Sequence, residues 1–201
     1  MKKVWITLLK MFVFLLVLFA TMRIIFLIKY WSLVTISEIP FGVIMKGFWT
    51  ALPLDIATTS FMLALPAIYM FIAFWVNKDT LFAPLRWYYY LIIAVYNLVA
   101  FGDIGIYGEW RTKLSYRALM YLQNPAEVIN TAETEQTLLL IVLWSVFTVL
   151  FCWLYTKFVE PERLDFNVEE KNPNKIVLSG SFVLIVGLLF LGMRGGFNEI
   201  P

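Results

Sequence analysis

Residues 4–22 read VWITLLKMFVFLLVLFATM, which is apolar almost throughout and carries one charge, at Lys10. A helix that crosses a bilayer needs about 20 mostly apolar residues, because each residue adds about 1.5 Å and the hydrocarbon core is about 30 Å thick. The stretch therefore predicts a membrane-spanning helix that Arg23 closes. Four later stretches meet the same criterion, and together they predict five spans, at residues 4–22, 50–76, 87–107, 137–156 and 176–193.

The composition of the whole chain agrees with this interpretation. Of 201 residues, 61% are hydrophobic and 15% are charged, and the mean hydropathy is +0.79. Soluble domains are about 45–50% apolar and about 25% charged, so a soluble enzyme is excluded. The absence of histidine excludes His-based catalysis and metal sites that contain histidine, and the net charge of +2 is too small to indicate nucleic acid binding. The predicted fold is all-α: a polytopic membrane protein with about five transmembrane helices and short interfacial helices in its external loops.

The orientation is predicted from lysine and arginine, which favour the cytoplasmic side of a membrane. The chain begins Met-Lys-Lys, so we place the N-terminus on the cytoplasmic side of the cell membrane and, after five spans, the C-terminus on the outer side. Residues 157–175 then form a cytoplasmic linker, and residues 194–201 begin an external one. Residues 29–46 suit a segment that lies in the interface, and residues 115–123 predict a short external helix.

Asp55 is the first charged residue that needs an explanation. It stands where the second predicted span begins, and a carboxylate within a bilayer is costly. One interpretation places Asp55 at a helix N-terminus, where its charge favours the helix dipole. The other assigns it to a site for a lipid headgroup.

A second polar pattern lies in Gly102-Asp-Ile-Gly-Ile-Tyr-Gly-Glu-Trp-Arg111. If the helix continues, Asp103, Tyr107 and Arg111 share one face, and the glycines at 102, 105 and 108 form a groove for close helix packing. The structural interpretation is a packing seam with a hydrogen-bond ladder; the functional one is a headgroup site in which Arg111 binds phosphate. The candidate headgroup-binding residues are Asp55, Asp103, Tyr107, Arg111 and Arg117. No residue of the chain is predicted to be catalytic or to bind a metal.

Three segments together resemble the membrane portion of the lipoteichoic acid synthase family, the sulfatase-related phosphoglycerol transferases. The first is LPLDIATTSF at residues 52–61, with Leu65-Pro66 after it. The second is DIGIY at residues 103–107, followed by Arg111 and by LMYLQNP at residues 119–125. The third is MRGGFNEIP at residues 193–201, where that family leaves its last span for an external domain.

The resemblance implies five spans followed by an extracytoplasmic catalytic domain with a threonine nucleophile and a divalent metal, commonly manganese. Such a domain transfers a headgroup, phosphoglycerol or phosphoethanolamine, from a phospholipid, and some relatives are hydrolases. This chain stops at Pro201, where that domain would begin, so we expect the catalytic residues and the metal to lie outside residues 1–201. We expect the chain itself to be the membrane anchor of a bacterial cell-envelope enzyme and to present lipid to it.

Two other functions remain open on the sequence. One is a small stand-alone transporter or channel subunit, and the other is a structural partner of other membrane proteins. Transporters favour broken helices, polar residues near the bilayer midplane and internal repeats. Here the charges stand mainly at span ends and no repeat is visible, which favours the anchor.

Overall fold

The computed structural model describes residues 2–76, 83–113, 134–159 and 175–195, and the regular elements within them are all helices. The all-α prediction is confirmed. The helices are α1 (Lys2–Lys29), α2 (Trp31–Ile36), α3 (Phe41–Val76), α4 (Ala83–Trp110), α5 (Thr134–Phe158) and α6 (Lys175–Met193).

Within the described residues, four helical segments are long and apolar enough to cross a membrane: Val4–Lys29, Phe41–Ala73, Pro84–Gly108 and Glu135–Phe158. A fifth apolar segment, Val177–Met193, is shorter. Large apolar side chains are exposed along all of these helices, which water would not favour but hydrocarbon does. The chain is therefore a multi-pass, all-α membrane protein.

The five long helices all extend beyond the predicted spans, and α1 and α3 do so by the most residues. Arg23 does not close α1, because the apolar residues after it continue the helix to Lys29. Likewise α3 begins at Phe41 rather than at residue 50, immediately after Pro40, whose carbonyl accepts a hydrogen bond of 2.9 Å from the Val43 amide. The helix continues through Pro53 and Pro66. The predicted interfacial segment at 29–46 contains α2, in which no residue is buried.

The described residues form two compact units, and the first combines residues from 1–86 and from 155–201. In this unit α3 packs against both α1 and α6. Phe71 of α3 stacks on Phe182 of α6 with ring centroids 4.0 Å apart. A β-carbon at Gly192 of α6 would lie only 3.1 Å from the Ser60 β-carbon, so the two helices approach closely there.

The second unit, residues 87–154, consists of most of α4 and most of α5. Gly105 of α4 lies near Leu140 of α5, whereas the earlier Asn97 contacts the later Thr148, so the two helices run antiparallel. Phe101 contacts Phe147 with centroids 5.5 Å apart, and the indole nitrogen of Trp144 donates a hydrogen bond of 3.0 Å to the Ala94 carbonyl. Most of the described α5 side chains are exposed.

Candidate functional site

Asp55 lies deep within α3, fourteen residues after the helix begins at Phe41. Its interpretation as a residue at a helix N-terminus is therefore wrong, because the dipole effect is confined to the first turn. The side chain is also buried, with 10% of its surface exposed. A charged carboxylate in such a place needs a partner that neutralises it.

The partner of Asp55 is Arg23 of α1, which stands 32 positions earlier in the chain. Nη1 of Arg23 donates to Oδ2 of Asp55, and Nη2 donates to Oδ1, each over 2.5 Å. Two parallel hydrogen bonds between a guanidinium and a carboxylate hold both groups in a fixed orientation, and the two opposite charges neutralise each other. The ion pair thus joins α1 to α3, and sequence reasoning missed Arg23 as a site residue.

The ion pair has a defined position along both helices. From Asp55 to the end of α3 at Val76 is 21 residues, or about 31 Å of helix. From Val4 to Arg23 is 19 residues, or about 28 Å. Each length matches the hydrocarbon thickness of about 30 Å.

Thr59, one helical turn after Asp55 on α3, has an unusual hydroxyl. Its neighbours Thr58 and Ser60 each donate to the carbonyl four residues earlier, over 2.9 and 2.8 Å. Thr59 Oγ1 is fully buried and has no hydrogen-bond partner among the described residues. A buried hydroxyl without a partner costs free energy, so this position is a weak point of the α3 core.

The other predicted site residues lie on α4 or after it. Asp103 and Tyr107 are half-buried on the last turns of α4. The helix ends at Trp110, and Arg111 has a positive φ of 54°, so the helical spacing stops one residue before Arg111. Arg111 therefore lies just outside the helix that the predicted ladder requires, although its amide donates to the Tyr107 carbonyl over 3.1 Å. The part of the ladder between Asp103 and Tyr107 stays a prediction. The Arg111 side chain is exposed, and Arg117 lies outside the described residues.

The predicted groove for close helix packing at the α4 glycines has a close neighbour at one position. A β-carbon at Gly105 would lie 2.7 Å from Cδ1 of Leu140 on α5, so a neighbouring helix does approach there, through a side chain rather than its backbone. At Gly102 the corresponding space is open. Close packing at the α4 glycines is therefore seen at Gly105, where the missing side chain leaves room for the tip of Leu140.

A second buried polar group, Asn97, lies in the middle of α4. It is fully buried, and its amide nitrogen donates to Thr148 Oγ1 of α5 over 3.3 Å. Hydrogen bonds of this kind hold transmembrane helices together, since hydrocarbon offers no alternative partner. Asn97 was not singled out from the sequence, although an amide within an apolar run is a recognisable signal.

Among the described residues, no group of three or more Cys, Asp or Glu side chains could hold a metal ion. An apolar groove of about 140 Å³ lies between α1, α3 and α6, lined by residues such as Trp5, Phe12, Leu63 and Ile185. Its lining is almost entirely apolar, which suits a hydrocarbon chain and not a polar ligand.

Comparisons of the chain with models of protein families, with curated proteins and with solved structures find no match.

Proposed function

We propose that the chain is the membrane anchor and lipid-presenting module of an extracytoplasmic phospholipid headgroup transferase. The observation that supports this proposal best is the ion pair of Arg23 with Asp55. A helix bundle that only anchors a protein needs no charge within its packed surface. Continuum estimates and mutagenesis show that apolar residues often replace such pairs without loss of stability.

The depth of the pair adds to the argument. If Val4 and Val76 mark one face of the hydrocarbon, then Arg23 and Asp55 lie at the opposite face. With the N-terminus inside, that face is the outer one. Phospholipid phosphates lie at this depth, where an external catalytic domain would collect them. Asp103 and Tyr107 at the end of α4, and Arg111 and Arg117 after it, remain candidates for the same role.

The transferase itself is inferred from the resemblance of three segments to the lipoteichoic acid synthase family. Its test is the reading frame downstream of codon 201. We expect it to encode several hundred further residues with a threonine nucleophile and Asp, Glu and His metal ligands. A stop codon at that point would remove the enzymatic proposal and leave a stand-alone membrane protein.

The orientation is tested separately by cysteine labelling in intact cells. In a Cys152→Ser background, a cysteine at position 113 should react with a membrane-impermeant reagent, and one at position 165 should not. The reverse pattern would place Arg23 and Asp55 at the cytoplasmic face, where an external domain has no access to the lipid.

A further inference from the structure

The guanidinium of Arg23 is only partly used by Asp55. A guanidinium carries five N–H groups, and the two hydrogen bonds to Asp55 take one from each terminal nitrogen. Three N–H groups remain, including the one at Nε. Because Asp55 holds the guanidinium plane in a fixed direction, these donors are already oriented for a second acceptor.

Access to the pair is one-sided. The Arg23 side chain is 29% exposed, whereas that of Asp55 is 10% exposed. More of the arginine than of the carboxylate is therefore open to a ligand. An anion can accept hydrogen bonds from the N–H groups of the guanidinium, whereas the largely buried carboxylate offers little surface to a cation.

The chain between the two paired residues carries a small excess of cations and exposed apolar side chains. From Arg23 to Asp55 it has three cations, the other two being the exposed Lys29 and Lys46, against two carboxylates. At the same time Ile24 and Leu54, the neighbours of the paired residues in sequence, are exposed. Phosphate alone would not benefit from the apolar neighbours, but an amphipathic phosphate ester would contact both.

From these observations we propose that Arg23 binds the phosphate of an anionic phospholipid through the N–H groups that Asp55 leaves unused. Asp55 acts as the positioning residue, and the exposed aliphatic side chains contact the lipid's glycerol and acyl region. The proposal rests on the lipid-presenting function proposed above and names the residue that carries it.

The experiment compares lipid binding and folding in the purified 201-residue chain. Detergent micelles contain either phosphatidylglycerol or diacylglycerol with the same acyl chains, so that only the phosphate headgroup differs. The central variant is Arg23→Gln with Asp55→Asn, which leaves the net charge unchanged and strands no buried charge. Arg23→Lys keeps the charge without the planar fork, and Lys10→Gln removes an exposed cation from the same helix as a control. Thermal unfolding reports the folding of every variant.

We expect the parent chain and Lys10→Gln to prefer phosphatidylglycerol. The double variant should lose about 10- to 100-fold in affinity with its thermal unfolding unchanged, since a charge-assisted hydrogen bond is removed. Arg23→Lys should fall between the two. Equal binding by the folded double variant would overturn the proposal, and so would equal binding by a folded Arg23→Lys variant if the double variant does not fold.

Further measurements distinguish a failure of this proposal from a failure of the lipid-presenting function on which it rests. If Arg111→Gln abolishes binding while the double variant keeps it, the lipid-presenting function stands and Arg23 is not the phosphate ligand. If the parent chain shows no preference for phosphatidylglycerol over diacylglycerol, both proposals fail. Displacement of the lipid by glycerol phosphate at equal concentration would identify a free phosphate ester as the ligand and overturn the phospholipid assignment.

Discussion

The contact between Gly192 and Ser60 offers a sharp test of how α6 packs on α3. A β-carbon at position 192 would overlap Ser60 Oγ and lie 3.1 Å from the Ser60 β-carbon. Ser60 is buried, and its hydroxyl donates to the Ile56 carbonyl over 2.8 Å, so turning the hydroxyl away breaks that bond. The alternative is to separate the helices. Either response makes Gly192→Ala destabilising.

The magnitude follows from two opposing effects. Forcing an extra carbon into a packed contact costs about 1–3 kcal/mol. Replacing glycine by alanine in a helix gains up to about 1 kcal/mol, and less at Gly192 because α6 ends at the next residue. The expected net loss is about 1–2 kcal/mol. For a chain of this size that lowers the unfolding temperature by several degrees, at about 2–4 °C per kcal/mol.

Gly187→Ala is the matched control, because it is the same substitution in the same helix with open space around the new carbon. It should leave the unfolding temperature in detergent unchanged or raise it. Ser60→Ala combined with Gly192→Ala removes the overlapping oxygen and should recover part of the loss. If Gly192→Ala is as stable as Gly187→Ala, the close approach of α3 and α6 is refuted.

Three further predictions concern folding and are measured by the same thermal unfolding. Arg23→Ala should cost up to about 3–5 kcal/mol of stability, because it leaves the more buried charge, that of Asp55, without a partner. Asp55→Ala should cost less, and equal losses for the two variants would contradict this asymmetry. Gly105→Leu should destabilise the chain more than Leu98→Ala, whose side chain is exposed; the opposite order would remove the packing role of the glycine. Thr59→Val should stabilise by about 1 kcal/mol, since it removes a buried hydroxyl without a partner; a clear loss would show that this hydroxyl is bonded.

The existence of the helices was predictable because runs of about 20 apolar residues admit few other structures in a membrane. The helix ends were not. A transmembrane helix need not stop where the hydrocarbon stops, and the apolar residues between Arg23 and Lys29 support further turns without any break. In the same way α3 starts fourteen residues before Asp55, at the first position after Pro40 that can begin a helix.

For the site, the sequence indicated Asp55 as a residue that needs an explanation but gave the wrong one. The reason is that its partner stands 32 positions away, and a pairing at that distance is decided by helix packing rather than by local pattern. Arg23 did carry a signal, since it interrupts an apolar run and is followed by five more apolar residues. Two opposite charges within apolar runs of neighbouring spans are a reason to expect a pair.

The split of the first unit between residues 1–86 and 155–201 has a consequence for biosynthesis. A ribosome delivers α1 and α3 first, so the contact between Arg23 and Asp55 can form while later helices are still untranslated. The face of α3 that carries Ser60 must wait until α6 has been synthesised, about 130 residues later. During that interval this face lacks its native partner. A ribosome that stalls before α6 would leave α3 docked on one side only.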